Sequence, residues 1–259
     1  MSATVVGILN LTPDSFFDGG QYIKADAACR RIDALIQAGA TLIDIGAEST
    51  RPGAAPVDAD TEWSRLAPVL SVYRKRFAIP FSVDTMKAGI ARQALEYGAA
   101  YINDVSGFRN APDMADTIRA YKAGVILTHS IGTPETMQDN PVYTNGIADI
   151  ITGLQACIQQ ARGIHPIIID PGIGFGKTAA HNALIMRHLD AFINLGYPVM
   201  LGVSRKSFIS SITGPDQTLA GSLAATVYAY QQGVRFFRVH DVAETVAALR
   251  VSEVVCPTA

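Results

Sequence analysis

The stretch Ile167-Ile168-Ile169-Asp170-Pro171-Gly172-Ile173-Gly174-Phe175-Gly176-Lys177-Thr178 sets the reading of the whole chain. Three β-branched apolar residues in succession describe a strand buried on both faces. The strand ends on a carboxylate. Pro171 and three glycines at alternate positions then form a run that no regular element accommodates. Burying a charge is costly unless something there needs it. One reading is an Asp that caps the next helix, but a strand leading to a polar residue recurs along the whole chain.

Seven further apolar runs have this form: Val5 to Asn10, Thr41 to Gly46, Phe81 to Asp84, Tyr101 to Val105, Gly124 to His129, Val199 to Ser204 and Arg235 to His240. Between them lie segments such as Ala25 to Ala38, Asp60 to Phe77 and Ser222 to Gln232, with apolar residues near every third or fourth position. Glycine stands where such helices should stop, at Gly39, Gly98, Gly124, Gly163, Gly196 and Gly233, as expected of left-handed caps. Eight β-then-α units without a composition break predict a single domain over residues 1–259. The count favours a closed (β/α)8 TIM barrel over a doubly wound sheet, and the length fits the roughly 250 residues usual for that barrel.

Composition narrows the function. The chain has 259 residues, 49% of them hydrophobic and 17% charged, enough apolar material for a large core. Lys and Arg number 21 against 23 Asp and Glu, so no global field points to nucleic acid or a phospholipid surface. Cys29, Cys157 and Cys256 are scattered without metal or redox spacing, which fits a reducing, cytoplasmic setting. No signal peptide and no membrane span is expected from the N-terminal run or the hydropathy pattern.

In a parallel α/β fold, function lies beyond the carboxyl ends of the strands. Those ends are chemically rich here: Asn10; Glu48 with Thr50 and Arg51; Asp84; Asn103; His129; Asp170; Ser204 to Lys206; Arg238 and His240. They divide into an acid and amide group (Asp84, Asn103, Asp170) and a cationic group (Arg51, Arg205, Lys206, Arg238, His240). The first suits the N–H edge of a flat heterocycle. The second suits phosphate oxygens or a carboxylate. Other signals fail. Gly176-Lys177-Thr178 mimics the end of a P-loop, but Pro171 stands where its first glycine belongs, and Gly172-Ile173-Gly174 lacks dinucleotide spacing. His165, His181 and His188 read as surface or helix residues, Trp63 as packing, and Met137 and Met200 as gap-fillers.

These residues carry a resemblance. Gly7-Ile8-Leu9-Asn10-Leu11-Thr12-Pro13-Asp14-Ser15-Phe16 with Asp18-Gly19-Gly20 resembles the opening signature of the dihydropteroate synthases. In the same order follow Gly46 to Gly53, Ser82 to Thr85, Ile102 to Gly107, the stretch at Asp170, Ser204 to Ser207 and Arg238 to Val242. The resemblance implies a transferase that joins 4-aminobenzoate to 6-hydroxymethyl-7,8-dihydropterin diphosphate. It implies that Asp84, Asn103, Asp170 and Lys206 hold the pterin and that Asn10, Arg51, Arg238 and His240 hold the diphosphate. Thr50, Arg51, Pro52, Phe175 and Ser204 would line the aminobenzoate slot, with Mg²⁺ at Asn10 and Asp14 and no general base. It further implies a homodimer through the late helices, Thr218 to Gln232 and Val242 to Val251, and mobile lids at Asp14-Ser15-Phe16 and Thr50-Arg51-Pro52-Gly53.

One motif departs. Thr128-His129-Ser130 replaces the Met-His-Met of many members and makes the pocket floor smaller and more polar. Phe17 and the His-Ser pair resemble the sulfonamide-insensitive branch, whereas Glu48 to Pro52 resembles the sensitive one; sensitivity is the expectation. The alternatives are a pterin-binding methyltransferase module, which would not need Arg51, Lys206 and Arg238, and a non-catalytic pterin-binding paralogue, which would lose Asn10, Arg51 or His240 first.

Overall fold

The computed structural model of the chain describes residues 3–12 and 21–256. Asp14, its neighbours Ser15 and Phe16, and Phe17 lie outside the described residues. In chain order the first half runs β1 (Thr4–Asn10), α1 (Gln21–Gln37), β2 (Leu42–Gly46), α2 (Ala59–Arg76), β3 (Phe81–Asp84), α3 (Ala88–Glu96), β4 (Tyr101–Asp104) and α4 (Met114–Ala120). The second half runs β5 (Gly124–Thr128), α5 (Ile147–Gln160), β6 (Ile167–Asp170), α6 (Ala179–Arg187), α7 (Leu189–Ile193), β7 (Met200–Leu201), α8 (Ser207–Thr213), α9 (Thr218–Gln231), β8 (Phe236–Val239) and α10 (Val242–Val255).

All strand pairs are parallel, in the order β6-β5-β4-β3-β2-β1-β8-β7. The cylinder closes between β6 and β7 through one bridge, Ile169 with Val199, where the Ile169 amide donates to the Pro198 carbonyl at 2.9 Å. This is the eight-stranded barrel; the doubly wound alternative would leave that edge open. Local chemistry sets the helix ends. Asp58 caps α2 by accepting from the Thr61 amide at 2.7 Å, Asp60 and Glu62 occupy the first turn, and Arg74, Lys75 and Arg76 the last, each sign complementing the helix dipole.

Five of the six glycines expected as caps have positive φ: Gly39, Gly98, Gly163, Gly196 and Gly233. Gly124 does not. There Lys122 takes the left-handed turn (φ 54°), and Gly124 opens β5, where a Cβ would lie 2.5 Å from the Tyr101 ring. Its role is close packing, which helix spacing cannot reveal.

Side chains alternate between the two faces of each strand, so every second residue enters the barrel. At the amino-terminal end those residues are apolar: Val6, Leu42, Ile126, Ile168 and Met200 pack together, joined by Tyr101 and Phe236. Two positions further along, the same rows read Asp44 after Leu42, Asn103 after Tyr101, Asp170 after Ile168 and Arg238 after Phe236. The opposite strand faces pack with the helices into the larger core, which includes Leu9, Ile43, Ile45, Val83, Ile102, Leu127, Ile169 and Phe237. Polarity thus switches along the barrel axis, from oily floor to charged mouth.

Candidate active site

The mouth is organised by Asp44, a fully buried carboxylate in the middle of β2. It accepts from Ser82 Oγ at 2.6 Å, from Asn103 Nδ2 at 3.1 Å and from Arg238 Nε at 2.6 Å. Arg238 Nη2 also reaches Asp84 Oδ2 at 3.1 Å. One guanidinium therefore serves two buried carboxylates. Burial, then the Asp44 charge, push the Asp84 carboxyl up to about 8 against the pull of Arg238.

The native state therefore keeps a proton on Asp84 that the unfolded chain gives up near 3.8. The stability linked to that proton is present below the unfolded value and is lost as pH rises through the folded one. Urea unfolding should show stability falling between pH 4 and 8, and Asp84→Asn should flatten that fall. An unchanged slope in the variant would place the titration elsewhere.

Asp170 ends β6 on the same rim. Its Oδ1 accepts from the Gly172 amide at 2.7 Å, while burial lifts its carboxyl to about 6 against that bond and the charges of Lys206, Lys177 and Arg238. Lys206 lies half-buried just past β7, its Nζ 4.2 Å from the centroid of the Phe175 ring. Burial and then Arg238 lower the ammonium to about 8, opposed by Asp170 and Asp84. Groups from β3, β6, β7 and β8 thus share one field. Among the described residues, Asp84 Oδ1 and Asn103 Oδ1 inside it are buried without a hydrogen-bond partner, unmet polar capacity of the kind that native interiors rarely leave.

On the other side of Arg238, the Ser204 hydroxyl lies 3.2 Å from His240 Nδ1 and accepts from the His240 amide at 3.2 Å. Burial and the neighbouring Arg238 lower this imidazole to about 4, so it is neutral at physiological pH. Arg51 is exposed on the β2–α2 loop between Thr50 and Pro52, and its charge reaches both Lys206 and His240. Asn10 ends β1 half-buried, paired in register with Gly46. Arg205 departs from the expected cation cluster. Its backbone is left-handed (φ 55°), and the exposed guanidinium forks onto Asp241 at 2.5 and 3.0 Å. That carboxylate already neutralises it, leaving Arg51, Lys206 and Arg238 as the cations facing the mouth.

Glu48, expected among the reactive strand ends, is a fastener. Its Oε1 accepts from the Val57 amide at 3.1 Å, closing the loop that carries Thr50, Arg51 and Pro52. Its Oε2 lies 2.5 Å from Lys87 Nζ, which also holds the fully buried Glu62 at 2.6 Å. At the loop's tip the Gly53 amide donates to the Pro134 carbonyl at 2.9 Å. Between this loop and those after β3, β4 and β5 lies a cavity of about 330 Å³, bordered by Lys87, Ser106, Arg109, Ser130 and Phe175.

The polar floor at Thr128-His129-Ser130 is hydrogen-bonded. Ser130 Oγ donates to the Val105 carbonyl and accepts from Arg109 Nη2, both at 2.7 Å. His165 and His188 are exposed, His181 caps α6 through Thr178, and Trp63 packs against Tyr97 on α2's flank. Sequence reading passed over Asp44 and Lys177. The signal for Asp44 was present: an acid inside a buried strand, in alternation with the mouth-facing residues.

An eight-stranded barrel whose mouth presents buried polar oxygens beside a cluster of cations can hold a flat, hydrogen-bonding ring next to an anion. The pterin binding enzyme family matches residues 6–240. Dihydropteroate synthase of Escherichia coli (strain K12) is 41% identical over 255 residues, covering 96% of this chain and 90% of the relative. The Clostridium difficile dihydropteroate synthase solved in the presence of pteroic acid superposes with a TM-score of 0.92 at 38% identity, covering 99% of this chain and 98% of that one. The Xanthomonas albilineans enzyme solved with 4-aminobenzoic acid gives 0.90 at 40%, covering 100% and 95%. The chain belongs to the dihydropteroate synthases, a family of transferases.

Proposed function

We propose that the chain condenses 6-hydroxymethyl-7,8-dihydropterin diphosphate with 4-aminobenzoate, giving 7,8-dihydropteroate and diphosphate. The observation that carries this is a pair of buried oxygens with no hydrogen-bond partner among the described residues, Asp84 Oδ1 and Asn103 Oδ1, beside Asp170. An amino-pyrimidinone edge carries donors and acceptors together, so it can answer a protonated Asp84 as well as the Asn103 oxygen. Asp84, Asn103, Asp170 and Lys206 hold the pterin; Arg51, Arg238, His240 and Asn10 receive the diphosphate.

Asn10 offers an amide oxygen, a hard ligand suited to Mg²⁺. Among the described residues no group of three or more His, Cys, Asp or Glu could hold a metal ion; Asn10 and Asp14 would be the chain's ligands to the ion. When bound, Mg²⁺ neutralises the leaving diphosphate. The chain's own part is to stabilise charge as it separates: Arg51 and Arg238 on the departing anion, the acids on the pterin that Lys206 also holds. The neutral His240 donates or accepts without competing for the amine's proton. Aminobenzoate lies between Phe175 and the loop bearing Thr50, Arg51 and Pro52, with Ser204 below, and needs only positioning. The loop from Thr50 to Gly53 closes over it.

A homodimer is supported by apolar side chains left exposed on the late helices: Ile212 on α8, Leu219 and Tyr228 on α9, Val251, Val254 and Val255 on α10. A cytoplasmic setting is supported by the free thiols of Cys29, Cys157 and Cys256. Among the described residues no helix is long and apolar enough to cross a membrane.

The test is diphosphate release from purified protein with pterin diphosphate, 4-aminobenzoate and Mg²⁺. Release should require both organic substrates, and a sulfonamide should compete with aminobenzoate alone. Release without aminobenzoate would sink the transferase reading; a sulfonamide that fails to compete would place the chain with the insensitive branch.

A further inference from the structure

Lys177 closes the glycine-rich loop after β6 and is only 3% exposed, yet no carboxylate of the described residues forms an ion pair with it. Its ammonium is satisfied instead by the His129 carbonyl at 3.0 Å, His129 Nδ1 at 3.0 Å and the Phe175 carbonyl at 3.1 Å. Burial lowers that ammonium to about 7, and in its protonated form the three contacts use all three of its donors. His129 is suited to accept, because burial and then the Lys177 charge lower its imidazole to about 3 and keep it neutral. Its ring is wedged against α5 at Gly153, where a Cβ would stand 2.6 Å from Cδ2. The anchor is therefore rigid.

The other contacts of the loop bypass Phe175. Gly174 is held through Asn182 and Gln138, at 2.9 and 3.0 Å, and Gly176 through the Tyr143 hydroxyl at 2.9 Å. The Phe175 amide donates to the Gly172 carbonyl inside the loop itself at 3.0 Å. Among the described residues, Lys177 supplies the hydrogen bond that ties the Phe175 main chain to the end of β5. The ring so placed covers Lys206 Nζ at 4.2 Å.

We propose that Lys177 is a positioning residue: clamped by the end of β5, it fixes the Phe175 main chain and so sets the wall against which aminobenzoate lies. The proposal rests on Phe175 lining that slot. Lys177 stands behind the loop and touches no substrate. A buried lysine bonded only to carbonyls and an imidazole is a costly way to hold a loop, and its return is a ring placed to within a fraction of an ångström.

Steady-state constants for Lys177→Met, His129→Ala and Phe175→Ala decide it, with dissociation constants for free pterin measured alongside. Lys177→Met should raise the KM for aminobenzoate about tenfold while pterin affinity stays within about twofold. His129→Ala, which removes one of the three bonds, should show the same substrate selectivity at smaller size, and it stands as the test should Lys177→Met fail to fold. Equal changes for both substrates, or none for either, would make Lys177 a purely structural residue and overturn the proposal. Phe175→Ala separates the two layers. If it leaves the aminobenzoate KM unchanged, the slot assignment itself is wrong; if it raises that KM while the Lys177 and His129 variants do not, only the role of Lys177 fails.

Discussion

Arg238→Ala should lower kcat by roughly 10²- to 10³-fold, the usual effect of deleting one preorganised charge at a developing anion. The same variant should lose about 3 kcal/mol of stability, because Asp44 is left buried without its cation and Asp84 without its partner. The stability defect should be smaller below about pH 8, where Asp84 holds its proton, than above it, while the catalytic defect should not follow that change. Denaturation on either side of that value beside turnover assays would separate the two. Arg238→Lys should rescue little, since a point charge cannot span Asp44 Oδ2 and Asp84 Oδ2 as the guanidinium does. Full activity in either variant would remove Arg238 from the reaction.

Asp170→Asn should weaken pterin binding by roughly 10³-fold or more. An amide there turns a donor toward the ligand's donors, and sites built to hydrogen-bond a partner discriminate steeply when the bond is lost. The carboxyl is lifted only to about 6, so wild-type affinity should fall as pH drops through that value and acid forms replace the carboxylate. Calorimetric titration with a free pterin from pH 5 to 8 would show both effects. Tight binding by the variant would mean that Asp170 serves only the Gly172 turn.

How much of this was legible in the sequence depended on which physical signal each residue carries. The eight strands could be read because β-branched runs such as Ile167-Ile168-Ile169 alternate with helical periodicity, and the acids at their ends stood out against apolar neighbours. Asp44 was missed because it sits inside the run Leu42 to Gly46 rather than at its end; alternation, not position, identifies it. Glu48 and Arg205 were misassigned for the opposite reason. Both stand at strand ends, but their partners, Val57 and Lys87 for one and Asp241 for the other, come from loops whose path no local pattern encodes. Lys177 looked like the remnant of a nucleotide motif, and its real neighbour, His129, is 48 residues away.

The seam of the barrel has a mechanical corollary. β1 and β2 share a register of five residue pairs, whereas β6 meets β7 at one. Strain imposed on the cylinder will open there first. Asp170 ends one edge of that gap and Lys206, beneath Phe175, follows the other, so any breathing of the wall is felt as slack between those two groups while the Asp44 cluster opposite stays fixed.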